Sequence, residues 1–296
     1  MRGARGHRGT RDASAARRYR FPVRIYISVD MEGVAGIVRS GQCMRGQHGY
    51  DAACHLMTAE ANAAALGAFE ADATEVLIND SHGDMTNLVL DELDPRVEIL
   101  SGNLKRFSMA EGLQDGRFDL ALFVGYHGGA GTRDAILDHT YRGSVVWSTR
   151  LNGRVVNEAA LNAMVAGAAG TPVGLVTGDA STCEQCRALL GEVETVTVKW
   201  AVGRLAARSL HPEQARAAIR QGAERAVRGA KRFPAYRPEP PFELEVDTVT
   251  TAMADAAGLM PGVERTAPRT LRYVADDVTT LFRALLSIVR LGGTAI

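Results

Sequence analysis

The stretch RIYISVDMEG, residues 24–33, decides how the rest of the chain is read. Its first half is β-branched and aromatic, so 23–29 is expected to be a strand. It stops abruptly on Asp30-Met31-Glu32-Gly33. The same device recurs downstream. A short apolar run at 74–78 breaks at Asn79-Asp80-Ser81-His82-Gly83. The segment 118–124 is almost continuously apolar, as a parallel strand buried on both faces should be, and ends at Gly125-Tyr126-His127. A run at 173–177 ends in Gly178-Asp179.

Between these runs lie helical patterns at 51–70, 158–169, 181–190 and 212–228, with Ser181 or Thr182 near the cap of the third. Further strands are expected at 96–100 and 195–199. A hairpin is expected at 145–156, turning on Asn152-Gly153. Alternation of this kind predicts an α/β fold, a mainly parallel sheet flanked by helices. Four prolines in 233–241 mark a linker. Beyond it, 242–250 alternates like a strand, and Val278, Leu281, Phe282, Leu285, Leu286 and Val289 line one helix face. The expected organisation is a disordered basic leader (1–21), an α/β catalytic domain (22–232), a Pro-rich linker (233–241) and a smaller C-terminal α+β segment (242–296) suited to oligomerisation.

The chain is formally neutral, but residues 1–20 hold seven Arg and one Asp, leaving the rest at −6. A mildly acidic body argues against a nucleic-acid partner. No run reaches the ~18 consecutive apolar residues of a membrane span. Four cysteines in 296 residues do not make a disulfide scaffold. Arg17-Arg18 lacks the apolar stretch an export signal needs next, so a cytoplasmic location is expected.

Open α/β sheets bind ligands at the carboxyl ends of their strands. Here those ends carry Asp30 and Glu32, Asp80 and His82, His127, and Asp179, while Glu158 begins a helix. Carboxylates with imidazoles and no thiolate suit Zn²⁺ or Mn²⁺ in a hydrolytic site. Two such ions would activate water and polarise a carbonyl. Each residue also has an ordinary structural reading. Asp30 would serve as a cap, His82 and His127 as satisfied core histidines, and Glu158 as a first-turn acid.

The motifs Ser28-Val-Asp30-Met-Glu32-Gly33, Asn79-Asp80-Ser81-His82, Gly125-Tyr126-His127, Asp138-His139-Thr140 and Asn157-Glu158 together resemble the M55 family of metallopeptidases, the zinc D-aminopeptidases. The likeness runs from about residue 24 to 290. It implies a dinuclear zinc site, two ions per chain, with Asp30 bridging and Glu32, His82, His127 and Glu158 as the other ligands. It implies His139 as the catalytic histidine. It also implies a ring-shaped homo-oligomer, a decamer, that admits short peptides. The function expected is hydrolysis of the N-terminal amide bond of short peptides, those with an N-terminal D-residue such as D-Ala. The alternatives are another dinuclear hydrolase (L-peptidase, amidase or phosphoesterase) and a non-catalytic peptide- or metal-binding protein.

Several smaller expectations follow. The loop 128–131 is either a source of oxyanion donors or a plain turn. Asp80 and Asp138 are candidate acceptors from ligand histidines. Asp179 is either such an acceptor or a cap. Lys199 and Arg204 are either contacts for a substrate carboxylate or ordinary ion-pair partners. Cys183-Glu-Gln-Cys186 reads as helix packing rather than a metal or redox motif.

Overall fold

The computed structural model describes residues 22–116 and 118–295. The basic leader expected at 1–21 lies outside the described residues. In chain order the strands and helices are β1 (Arg24–Val29), α1 (Tyr50–Glu70), β2 (Glu75–Asp80), β3 (Glu98–Leu100), β4 (Leu120–Tyr126), β5 (Val146–Leu151), β6 (Arg154–Val155), α2 (Glu158–Ala168), β7 (Val173–Asp179), α3 (Ala180–Leu190), β8 (Glu194–Gly203), β9 (Ala206–Ser209), α4 (Pro212–Arg228), β10 (Phe242–Thr248), α5 (Thr251–Ala257), β11 (Glu264–Ala267), β12 (Thr270–Ala275) and α6 (Val278–Gly292).

Seven strands form the main sheet in the order β3-β2-β1-β4-β7-β8-β9. All neighbours are parallel except β9, which returns antiparallel to β8. The fold is therefore α/β with a mostly parallel sheet flanked by helices. The chain leaves β1 toward β2 on one side and later fills β4 on the other. The β1/β4 seam is thus a topological switch point, where a crevice opens at the strands' carboxyl ends.

The period-two alternation of β1 divides two cores. Ile25, Ile27 and Val29 face α1 and α4, among Met57, Ala61, Ile219 and Ala223. Tyr26 faces the opposite layer with Phe123 and Tyr126, where α2 and α6 pack. That layer includes a second, antiparallel sheet, ordered β11-β12-β10-β5-β6. It takes β5 and β6 from before the Pro-rich segment and the other three strands from after it. The hairpin turns on Asn152 (φ 50°) and Gly153 (φ 74°), as Asn-Gly favours. The stretch 278–295 is long and apolar enough to cross a membrane. Its residues Leu281, Phe282, Leu285 and Ile288 are instead buried in the core.

Candidate metal centre

Asp30 and Glu32 follow β1, His82 follows β2, His127 follows β4, and Glu158 opens α2. All five are buried. The switch point brings them into one cluster. The two oxygens of Asp30 point to different partners. Oδ1 lies 3.1 Å from His82 Nδ1, and Oδ2 lies 3.3 Å from His127 Nε2. Glu32 Oε2 is 3.0 Å from His82 Nδ1, and Glu158 Oε2 is 3.4 Å from His127 Nε2. Two carboxylate–imidazole pairs therefore share one carboxylate.

Backbone carbonyls fix each ring. His82 Nε2 is 2.8 Å from Cys43 O, and His127 Nδ1 is 3.0 Å from Gly128 O. A carbonyl only accepts, so those nitrogens carry protons and the opposite nitrogens face the carboxylates. His139 repeats the arrangement, with Nδ1 2.9 Å from Leu137 O. Its Nε2 lies 3.8 Å from Glu158 Oε1, and its ring stacks on His127 at 4.1 Å between centroids. The Tyr141 N–H donates to Glu158 Oε1 at 2.6 Å and steadies that carboxylate.

The electrostatics ask for positive charge. Burial alone would raise Asp30, but the adjoining imidazoles of His127 and His82 outweigh it and hold the group below the usual carboxylate range. Burial likewise opposes ionisation of Glu32 and Glu158, yet His82 and His127 respectively keep both lowered. Burial disfavours charge on the two imidazoles, but Glu32 and Asp30 around His82, and Glu158 and Asp30 around His127, raise both well above the histidine norm. Among the described residues, Asp30 Oδ2, Glu32 Oε2 and His127 Nε2 are buried without a hydrogen-bond partner. Buried polar atoms are rarely left so. Three of them converging, with carboxylate and imidazole chemistry, fit a metal ion. Potential ligand atoms of Asp30, Glu32 and His127, and of His127, His139 and Glu158, lie within 4.8 Å of one another in each set.

The surrounding loops correct several expectations. Three N–H groups of the loop 128–131 are already engaged. Gly129 N–H goes to Gln185 Oε1, Ala130 N–H to Thr140 Oγ1, and Gly131 N–H to Asp138 Oδ2. Asp80 accepts from the Asn87 and Leu88 backbone and from Asn87 Nδ2, not from a histidine. Asp138 pairs with Arg204 at 2.7 Å. Asp179 caps α3 through Thr182 N–H and holds Ile136 N–H, tying the loop to the sheet.

Lys199 is wholly buried and donates to the carbonyls of Glu32, Val34 and Ile37. Burial pushes it down to about 8, against the pull of Asp179 and Glu60. It pins the backbone after Asp30 and has no outlet to substrate. Cys183 and Cys186 are buried free thiols in α3.

Some neighbours of the site were not expected. Cys43 reaches it from the loop before α1, and Gln185 clamps the loop 128–132 from α3. Neither has a signal at the level of sequence. Asn157 does: an Asn before a helical run is an N-cap signature. Its Oδ1 accepts from Ala160 N–H, and its Nδ2 donates to Gln185.

This geometry sits in a chain whose residues 23–287 match the sequence profile of the M55 peptidases, described as D-aminopeptidase. The chain belongs to the M55 family. It is 34% identical over 273 residues to a D-aminopeptidase of Bacillus subtilis strain 168, covering 91% of this chain and 97% of that one. It also superposes on the Zn-dependent D-aminopeptidase DppA from Bacillus subtilis, described as a self-compartmentalizing protease. That likeness has a TM-score of 0.88 at 34% identity, over 92% of this chain and 98% of the other. M55 membership makes the chain a metallo-aminopeptidase, and the fold above is the M55 fold.

Proposed function

We propose that this chain is a dinuclear zinc aminopeptidase that removes an N-terminal D-residue, such as D-Ala, from short peptides. One observation carries the reading. Asp30 turns its two oxygens to two separate histidines, each of which faces its own second carboxylate. Asp30 would bridge, Glu32 and His82 would hold one ion, and His127 and Glu158 the other. Bound zinc would supply water activation and carbonyl polarisation.

The protein's own groups supply positioning and proton transfer. A cavity of about 140 Å³ adjoins the centre, lined by Asp30, His82, Met85, Met109, His139 and Tyr141. Its size suits a small N-terminal side chain. His139 keeps its Nδ1 proton on Leu137 O, which leaves Nε2 to move a proton to the leaving amine. A homo-oligomeric ring, a decamer by family likeness, accords with the relative's self-compartmentalizing description. Exposed apolar side chains such as Trp147, Val202, Leu205 and Leu259 are available for such contacts.

The test is hydrolysis of D-Ala-D-Ala beside L-Ala-L-Ala and a phosphoester, on protein of counted metal content, before and after chelation. Chelatable activity confined to the D-peptide, with about two zinc per chain, is the expected result. Two metals with cleavage of another panel member would move the assignment to a different dinuclear hydrolase. A chain that binds no zinc would remove the mechanism. Light scattering of the same sample reads the subunit number.

A further inference from the structure

Cys43 lies in a short 3₁₀ turn, Ser40–Cys43, between β1 and α1. Its backbone carbonyl accepts from His82 Nε2 at 2.8 Å. Its side chain also reaches the centre. Sγ, a carboxylate oxygen of Glu32 and a ring nitrogen of His82 all lie within 4.8 Å of one another. The thiol is not a lone group on a surface. It adjoins the Glu32 carboxylate, whose Oε2 is buried and, among the described residues, has no hydrogen-bond partner. Glu32 and His82 are both over nine-tenths buried.

We propose that Cys43 Sγ is a further ligand on the Glu32–His82 side of the centre, making that position the tight, sulfur-bearing one. This rests on the dinuclear reading above. The donor distances support it. A tetrahedral zinc with bonds of about 2.0–2.3 Å separates its ligand atoms by roughly 3.3–3.6 Å. His82 Nδ1 already lies 3.0 Å from Glu32 Oε2 and 3.1 Å from Asp30 Oδ1. Cys43 Sγ, within 4.8 Å of Glu32 and His82 ligand atoms, would close to that spacing on binding the ion. With Asp30, Glu32, His82 and Cys43, that position has four protein donors and is closed, as structural zinc sites are. The position facing His127 and Glu158 offers only nitrogen and oxygen donors and keeps an open place for water and substrate. As the metal–sulfur bond forms, the thiol proton leaves to solvent, so no oxidant or reductant is involved. Burial, reinforced by Glu32 and Asp30, pushes the Cys43 thiol up. A dication reverses that field.

The consequence is selectivity. A thiolate favours zinc, cobalt or cadmium over manganese at one position only. The experiment is cobalt substitution of the full-length protein after removal of its metal, followed by absorption spectroscopy of wild type and Cys43→Ser. Wild type should show a near-ultraviolet thiolate-to-cobalt band beside its visible ligand-field bands. Cys43→Ser should lose the first and keep the second. Its cadmium-over-manganese preference should fall by at least the 10–100-fold typical of losing an outer-shell partner. Ligand-field bands without a thiolate band in wild type would overturn the Cys43 assignment and leave the metal centre standing. A thiolate band that survives in Cys43→Ser would do the same, by placing the sulfur elsewhere. No cobalt uptake by wild type would overturn both readings. The wild-type spectrum decides the matter even if the variant fails to fold.

Discussion

Gly33→Ala tests whether the two halves of the centre are held together by backbone contact. Gly33 packs against the end of β4. A Cβ there would sit 1.9 Å from Tyr126 O, 2.4 Å from Gly125 C and 2.5 Å from Gly125 O. The first contact falls short of an ordinary one (3.4 Å or more) by about 1.5 Å. Every obstructing atom is backbone, so no side chain can swing away. The Gly33 N–H also donates to Gly125 O at 2.8 Å, and separation breaks that bond. Overpacking typically costs about 1–3 kcal/mol and a lost hydrogen bond about 1 kcal/mol more. Together these give ~2–4 kcal/mol, a large share of a typical ~5–15 kcal/mol stability. The displacement has a direction. Glu32 precedes Gly33, and Tyr126 precedes His127, so relief of the clash pulls Glu32 away from His127. A shift of ~1 Å exceeds the ~0.5 Å tolerance of a preorganised site. Urea unfolding and zinc competition titration read the two effects. Gly203→Ala is the control, because nothing lies within 4 Å of its Cβ position. It should change stability by less than about 1 kcal/mol. An unchanged unfolding midpoint in Gly33→Ala would refute the packing argument. Lost stability with unaltered zinc affinity would refute the coupling to the centre.

Three further outcomes are expected. Burial raises Glu60 from 4.5 to about 7 against its bond to Ala35 N–H. Its folded value exceeds the unfolded one, so its favourable contribution is full below pH ~4.5 and lost as pH rises through ~7. Glu60→Gln should therefore flatten stability between those pH values and add up to about 3 kcal/mol above them. Parallel stability–pH curves for the two proteins would contradict this. Asn157→Ala removes the α2 cap and the bond to Gln185. It should lose about 1–2 kcal/mol in thermal unfolding and, by loosening Glu158, roughly tenfold in zinc affinity. His139→Ala should retain full metal content while turnover falls about 10²–10⁴-fold. Loss of one zinc would instead make His139 a ligand, and unchanged turnover would end its role.

What could be read in the sequence was whatever is local. The parallel strands announce themselves because β1, β4 and β7 are apolar runs ended by polar residues. The strand-end rule then places Asp30, His82 and His127 at one crevice. The antiparallel sheet was not legible, because β10 pairs with β5 some 95 residues away, as in Glu245 opposite Arg150. An alternating pattern gives the face of a strand and not its partner. Prolines mark a break in regular structure, while the flanking strands join one sheet across it.

The orientation of the histidines was not legible for a second reason: their partners are main-chain groups. His82, His127 and His139 are oriented by the carbonyls of Cys43, Gly128 and Leu137, not by Asp80 or Asp138. Lys199 likewise works on three carbonyls. A carbonyl carries no side-chain signature, so candidate ligands can be named from residue type while the groups that fix their protons cannot. It follows that the tautomers here should tolerate side-chain change at 43, 128 and 137 better than backbone change. Cys43→Ser, which keeps its carbonyl, separates the two roles of that residue. His82 should stay oriented while the sulfur is lost, so nitrogen ligation by His82 should persist in the cobalt spectrum of the variant. A variant whose His82 no longer binds would show that the Cys43 side chain, rather than its carbonyl, holds the ring.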